Sequence, residues 1–167
     1  MTHDEFNALL NEPAVVGAIR EAEARSTGEI RVLVTHLAVD DPMAEARRRF
    51  AALGMEKTAA RNGVLVFIAP KSQTFAILGD SGIHGCGGDA LWAGAAAVMA
   101  EAFRAERWTD GVVGAIRRVG EALARHFPRT GADDVNELPD AIARDHGGAA
   151  EPESGSSTDN GTGGRSE

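Results

Sequence analysis

One stretch of the sequence, residues 64–68 (VLVFI), constrains the fold more than any other. All five residues are apolar, three of them are β-branched, and the turn signal Asn62-Gly63 comes directly before them. A strand with one face in water alternates apolar and polar residues, whereas an unbroken apolar run is typical of a strand buried on both faces. The chain must therefore cover both faces of a sheet, which favours a mixed α/β architecture.

The flanking residues supply two further strands. After the turn at residues 70–73, residues 74–79 predict a strand, and the short connection implies an antiparallel hairpin. Residues 29–37 alternate between apolar and polar positions and predict another strand.

Helical patterns fill most of the remaining body. Thr2 and Glu5 have the spacing of a capping box at the start of a first helix, and Pro13 can begin a second helical segment. Asp40-Asp41-Pro42 is typical of a helix N-terminus and predicts a helix over residues 43–55. Two more helices are predicted over residues 89–104 and from Thr109 to Phe127, the latter from an apolar stripe at helical spacing.

These elements predict a single α/β domain in residues 1–128. Its order is α-β-α-β-β-α-α, with a small central twisted mixed sheet and helices on both faces. Beyond Pro128 the apolar content falls, which predicts a partly ordered acidic extension over residues 129–148. Residues 149–167 contain no large apolar residue, so we expect a disordered tail.

Charge and cysteine content exclude several classes of function. The net charge is −8, and nine acidic and three basic residues after Pro128 account for −6 of it. The nearly neutral body has no Lys/Arg patch, which argues against nucleic-acid binding. A single cysteine excludes an intramolecular disulfide. Because neither a secretory signal nor an apolar run of spanning length is present, we expect a cytoplasmic monomer without direct membrane insertion.

The densest group of candidate ligands lies at residues 80–89. Asp80 and Asp89 flank a glycine-rich loop that follows a predicted strand. Carboxylates and backbone carbonyls are the ligands of Ca²⁺ and Mg²⁺, and Asp40 and Asp41 leave another sheet end. These four residues predict a divalent-cation site, provided that the two loops converge. The alternative is that Asp80 and Asp89 only cap a turn and a helix, and the glycines only form the bend.

The same loop carries His84 and Cys86, which raise the possibility of a soft-metal site or a nucleophile. No second cysteine or nearby histidine completes a tetrahedral set. The alternative is that Cys86 is a small packing residue. The roles of His84 and Cys86 therefore stay open at this point.

The body from residue 18 to residue 128 resembles the TPM domain family. Five segments carry the resemblance in order: residues 26–32 (STGEIRV), 50–58 (FAALGMEKT), 61–66 (RNGVLV), 76–84 (AILGDSGIH) and 126–128 (HFP), with Trp92, Gly111 and Ile116 between the last two. The chain is most similar to the short soluble bacterial branch. The resemblance implies an α/β sandwich, and it implies Ca²⁺ or related cations near the sheet end, at Asp40, Asp41, Asp80 and Asp89.

Three functions follow as expectations. The first is a non-enzymatic domain that binds Ca²⁺ or Mg²⁺ at the loop of residues 80–89. The second, which the resemblance to plant members implies, is a metal-assisted acid phosphatase, although the loop contains no Lys or Arg to stabilise the transferred group. The third is an interaction module that docks on a membrane-associated protein.

Overall fold

The computed structural model of the chain describes residues 1–129 and 142–144. It confirms the mixed α/β class, with helices on both faces of a mixed sheet. The helices of the described part are α1 (His3–Leu9), α2 (Glu12–Arg25), α3 (Pro42–Ala52), α4 (Ser81–His84), α5 (Gly88–Arg104) and α6 (Trp108–His126). The strands are β1 (Glu29–Val34), β2 (Gly63–Ala69), β3 (Thr74–Gly79) and β4 (Ala143–Arg144), and 3-10 turns occupy Met55–Lys57 and Pro70–Ser72.

The sheet has the strand order β3-β2-β1-β4. β1 runs parallel to β2 and to β4, whereas β2 and β3 form the predicted antiparallel hairpin. All seven residues of β2 are buried, as the unbroken apolar run predicts. β2 is buried on both faces because it is an inner strand with helices above and below it.

Alternate residues of each strand enter two separate cores. On one face the strands pack against α1, α2, α5 and α6, around residues such as Ile19, Val66 and Ile116. On the other face they pack against α3 and the turn at Met55–Lys57, around Phe50 and Phe67.

Two elements were not predicted. α4 has four residues, which is too short to show a helical period. β4 has two residues and exists only through its pairing with Leu33 and Val34. Ile142, directly before β4, is 5% exposed in the larger core, so the core includes a residue beyond 128. Apart from Arg129 and residues 142–144, the predicted extension and tail lie outside the described residues.

The sheet topology decides which loops can meet. Glu29 pairs with Gly63, and Val64 pairs with Gly79, so β3 ends where β1 and β2 begin. Residues 40–41 follow the opposite end of β1. Six residues of strand at about 3.3 Å each separate the two ends by roughly 20 Å. The predicted convergence of the Asp40-Asp41 loop with Asp80 is therefore wrong, because β3 returns antiparallel.

Candidate functional site

Two loops cross where β1 and β2 begin. One loop connects α3 to β2, and the other leaves β3 and enters α4. The amide of Gly82 donates a hydrogen bond of 2.7 Å to the carbonyl of Arg61. A Cβ atom at position 82 would lie 2.1 Å from the carbonyl oxygen of Ala60, so only glycine permits this approach. The glycine of the second loop thus lets the two backbones touch.

An ion pair holds the crossing together. Arg61 donates from Nε to Oδ2 of Asp80 at 2.7 Å and from Nη2 to Oδ1 at 2.9 Å. The amide of Ser81 also donates to Oδ1, at 2.7 Å. The side chain of Asp80 is 7% exposed, whereas that of Arg61 is 50% exposed. Both carboxylate oxygens of the predicted cation ligand therefore already accept hydrogen bonds within the protein.

The electrostatics of the crossing favour the ionised pair. Burial alone would raise the pKa of Asp80, but the hydrogen bonds from Arg61 and the Ser81 amide, together with the guanidinium charge, lower it below the ordinary value. The same hydrogen bond and the charge of Asp80 raise the pKa of Arg61, and the more distant charge of Glu56 contributes in the same direction. Two carboxylates thus act on one fixed cation at this point.

The other three predicted ligands lie elsewhere. Asp41 caps α3, where its side chain accepts a hydrogen bond of 3.1 Å from the Ala44 amide. Asp40 is exposed beside it. Asp89 is exposed in the first turn of α5, whose N-cap is Gly87.

The predicted caps are thus correct for Asp80 and Asp41 but wrong for Asp89. Among residues 1–129 and 142–144, no three His, Cys, Asp or Glu side chains are arranged to hold a metal ion. The described residues do not by themselves provide the carboxylate set that the sequence predicts.

His84 and Cys86 have local partners. The thiol of the exposed Cys86 donates to the carbonyl of Gly82 at 3.2 Å. The ring of His84 stacks on Trp92 with a centroid distance of 6.0 Å, and the Trp92 indole N–H donates to the carbonyl of His84 at 3.1 Å. These contacts fix α4 against α5.

The opposite end of the sheet contains an aromatic cleft of about 460 Å³. Phe103 of α5 lies at its centre, in edge-to-face contact with Phe75, Phe6 and Trp108 at centroid distances of 5.7, 5.9 and 5.2 Å. Apart from Phe6, these rings are only partly buried. A volume of this size with mostly apolar walls is typical of small-molecule sites.

The cleft lies outside the carboxyl end of β2, next to the turn at Pro70–Ser72. Ligands of open α/β sheets bind outside the carboxyl ends of the strands. The sequence did not reveal this site, because its four rings come from four different elements. The one local signal was the position of Trp108 just beyond a predicted helix, which is equally typical of a core residue.

Arg61 was also missed by the sequence analysis. Its sequence signals were its place directly before the turn Asn62-Gly63 and at the start of residues 61–66, which carry part of the family resemblance, and neither indicates its partner. It has a φ of 51°, in the left-handed region that disfavours side chains. The bidentate pair with Asp80 compensates for this strain.

Comparison with known proteins identifies both the family of the sequence and solved structures of the same fold. The sequence profile of the TPM domain matches residues 6–122. The solution structure of the BA42 protein from the psychrophilic bacterium Bizionia argentinensis is 36% identical, with 80% of this chain and 92% of that chain covered at a TM-score of 0.74. None of the curated proteins matches the sequence.

A second solved structure has the same fold at lower identity. It is the N-terminal domain of the cg2496 protein from Corynebacterium glutamicum, which is 19% identical over 74% of this chain and 76% of that chain, at a TM-score of 0.54. The family match covers more than two thirds of the sequence, and a relative above 30% identity shares its fold over most of its length. This chain therefore belongs to the TPM domain family.

Proposed function

We propose that this chain is a non-catalytic binding domain that receives an apolar group in the aromatic cleft. The observation that carries this proposal is the cleft itself, an open space of about 460 Å³ at the carboxyl end of β2 whose lining includes four aromatic rings, three of them partly exposed. Of the four side chains that the sequence assigned to metal binding, Asp41 is engaged as a helix cap and Asp80 in an ion pair, whereas Asp40 and Asp89 are exposed at separate places. Of the three expected functions, the interaction module shares with this proposal only a binding role.

The cleft offers favourable binding energy without requiring movement of the core. Partly exposed aromatic rings gain about 25 cal/mol for each Å² of apolar surface removed from water. Edge-to-face packing fixes the rings relative to one another, so little side-chain entropy is lost when a ligand enters.

Indole is a suitable first probe, because it is apolar, aromatic and uncharged. We expect saturable amide shifts in an NMR titration, confined to residues 68–75 and 100–108. Ala100 lines the cleft on α5, so Ala100→Phe should fill it and weaken indole binding about tenfold or more. Ala97 is exposed on the same helix, and Ala97→Phe is the matched control.

The proposal is wrong if indole causes no saturable shifts at millimolar concentration. It is also wrong if Ala100→Phe and Ala97→Phe bind indole equally well. Far-ultraviolet circular dichroism and the melting temperature establish that both variants are folded.

A divalent-cation site at the loop crossing is the second candidate. It is favoured by the nearly buried carboxylate of Asp80, which already binds one cation, the half-exposed guanidinium of Arg61. Ca²⁺ or Mg²⁺ would have to displace this guanidinium, whose exposure leaves it room to turn into solvent. The remaining ligands would be backbone carbonyls and water, so we propose weak binding.

Removal of the competing charge tests this candidate. Arg61→Gln should raise Ca²⁺ affinity several-fold over the wild-type protein, with amide shifts confined to residues 55–63 and 79–84, whereas Asp80→Asn should abolish those shifts. Unchanged spectra of both wild type and Arg61→Gln at about 10 mM Ca²⁺, a concentration that would populate even a weak site, would exclude a cation site here.

Two other interpretations stay predictions. For a metal-assisted acid phosphatase, the new observation is a guanidinium at the loop crossing, although Asp80, which also accepts from the Ser81 amide, already occupies it. Turnover of p-nitrophenyl phosphate that is lost in both Asp80→Asn and Arg61→Gln would support this activity.

Docking on a membrane-associated partner also stays a prediction. Within the described residues, no helix combines the length and the apolar character needed to cross a membrane.

A further inference from the structure

The rim of the aromatic cleft carries charged and polar side chains in strained backbone positions. Three residues other than glycine have positive φ in the described part of the chain: Arg61, Gln73 and Glu106. Arg61 forms the ion pair at the loop crossing, but Gln73 and Glu106, with φ of 53° and 58°, both line the cleft. Gln73 directly follows the turn at Pro70–Ser72, and Glu106 follows the end of α5.

Glu106 stands where a helix normally ends in glycine. The amide of Arg107 donates a hydrogen bond of 2.8 Å to the carbonyl of Ala102. The amide of Glu106 donates a hydrogen bond of 3.0 Å to the carbonyl of Phe103. This pair of bonds is the Schellman motif, in which glycine is preferred at the position of Glu106. A side chain in this conformation costs about 1–2 kcal/mol. Such strain is concentrated at ligand-binding sites, and here it places a carboxylate at the rim.

Arg104 brings the opposite charge to the same rim. It lines the cleft and is exposed near the end of α5. Within residues 1–129 and 142–144, neither Arg104 nor Glu106 takes part in a side-chain hydrogen bond or an ion pair. The two side chains therefore offer a cation and an anion to whatever enters, above a floor of aromatic rings.

We propose that the cleft binds a small zwitterion with an apolar side chain, that is, an α-amino acid of the phenylalanine or leucine type. The apolar side chain would lie among Phe75, Phe103 and Trp108. Arg104 would pair with the carboxylate and Glu106 with the ammonium group, and the Gln73 amide would add a neutral hydrogen bond. A simple fatty or aromatic acid would leave Glu106 opposite an anion, and an internal protein segment lacks the adjacent α-ammonium and α-carboxylate of a free amino acid. This inference rests on the proposed function of the cleft.

Three probes separate the two charges. L-phenylalanine has both charges, N-acetyl-L-phenylalanine has only the carboxylate, and L-phenylalanine methyl ester has only the ammonium group. We expect Arg104→Gln to weaken the binding of phenylalanine and of the acetyl compound about tenfold, and to leave the ester unchanged. Glu106→Gln should weaken phenylalanine and the ester, and leave the acetyl compound unchanged.

The measurement is an NMR titration of the full chain followed at the amides of residues 68–75 and 100–108. Arg117→Gln and Glu101→Gln are the matched controls, because both residues are exposed on α6 and α5 and neither lines the cleft. They should change no affinity by more than about twofold. Melting temperatures of the four variants establish that they are folded.

The outcomes distinguish this inference from the proposed function. If indole binds but phenylalanine does not, or if phenylalanine binds equally well to all variants, the zwitterion is wrong and the apolar cleft stands. If neither indole nor phenylalanine binds, both proposals are wrong. If the acetyl compound or an apolar peptide without charged ends binds more tightly than phenylalanine, the occupant is not a zwitterion.

Discussion

At the scale of single residues, this chain places charged or amide side chains where backbone geometry favours glycine. Arg61, Gln73 and Glu106 each adopt a left-handed conformation. For Arg61 the compensating interaction is visible, because Asp80 accepts two hydrogen bonds from it. At Gln73 and Glu106 only backbone hydrogen bonds of the turns are formed, and within the described residues their side chains remain available at the rim of the cleft.

The first prediction follows from the helix end at Glu106. Glu106→Gly should stabilise the protein by about 1 kcal/mol, since glycine adopts a positive φ without the cost that a side chain incurs there. Urea denaturation measures the free energy of unfolding. Gly54 has a φ of 69°, so Gly54→Ala should destabilise by a similar amount and serves as the opposite control. A Glu106→Gly protein less stable than wild type would show that the carboxylate already has a stabilising partner.

The second prediction concerns pH and Asp80. The folded-state pKa of Asp80 lies below its ordinary value, and the unfolded value is about 3.9. The pair therefore contributes stability above about pH 4 and loses it as the pH falls through the lower, folded-state pKa. Because Arg61 is half exposed, Asp80→Asn should cost about 1–2 kcal/mol at pH 7.

Urea denaturation from about pH 7 to about pH 2.5 tests this dependence. The stability difference between wild type and Asp80→Asn should shrink below about pH 4. Asp110 is exposed and lies 3.9 Å from Arg107, so Asp110→Asn should change stability by less than about 0.5 kcal/mol. A difference for Asp80→Asn that stays constant over the whole acid range would contradict the role of the charge.

At the scale of elements, close helix contacts determine how the larger core is covered. α6 packs on α2 and α5 through small residues, and a Cβ atom at Gly120 would lie 2.8 Å from Cβ of Ala22. Its apolar stripe was visible in the sequence, and Val112, Ile116, Val119 and Leu123 are all fully buried. The stripe predicts which face of α6 is buried, but not how closely its partner helix approaches.

The third prediction tests this contact. Gly120→Val should separate α2 from α6 and destabilise the protein by about 1–3 kcal/mol through overpacking. Gly17 lies on α2, and a Cβ atom added there would meet no other atom within 4 Å, so Gly17→Ala should stabilise by about 0.5–1 kcal/mol. Thermal unfolding followed by circular dichroism ranks the two variants. Equal stability of Gly120→Val and wild type would show that the helices can separate without cost.

At the scale of the whole molecule, the core does not end with α6. Ile142 is 5% exposed within the larger core, and β4 pairs with β1. The boundary at residue 128 was predicted from the loss of apolar residues, and a single buried isoleucine does not alter that average. Ile142 is buried in the core because β4, which follows it directly, pairs with the edge of β1 that faces away from β2.

The fourth prediction compares two shortened chains. A chain that ends at residue 144 keeps every described contact and should have nearly wild-type stability. A chain that ends at residue 129 loses the burial of Ile142 and the pairing of β4, and should be less stable by about 1.5–3 kcal/mol. Urea denaturation measures the free energy of unfolding of both shortened chains and so tests this difference. Equal stability would mean that residues 142–144 contribute nothing to the core.

Much of this protein follows from local sequence patterns. The unbroken apolar run of β2, the hairpin with β3, the caps at Thr2 and Asp41, and the buried stripe of α6 all depend on contacts between residues near in sequence or on a strong period. Such features are visible in the sequence because hydrophobic burial and capping act on each element separately.

The location of the sites was decided only by the tertiary structure. The direction of β3 placed Asp80 at the end of the sheet opposite to the one that Asp40 and Asp41 follow, and beside Arg61, which is 19 positions away in the sequence. The cleft required Phe6, Phe75, Phe103 and Trp108 to meet across four elements. No local pattern encodes such contacts, because they depend on strand direction and helix packing that emerge only when the whole chain has folded.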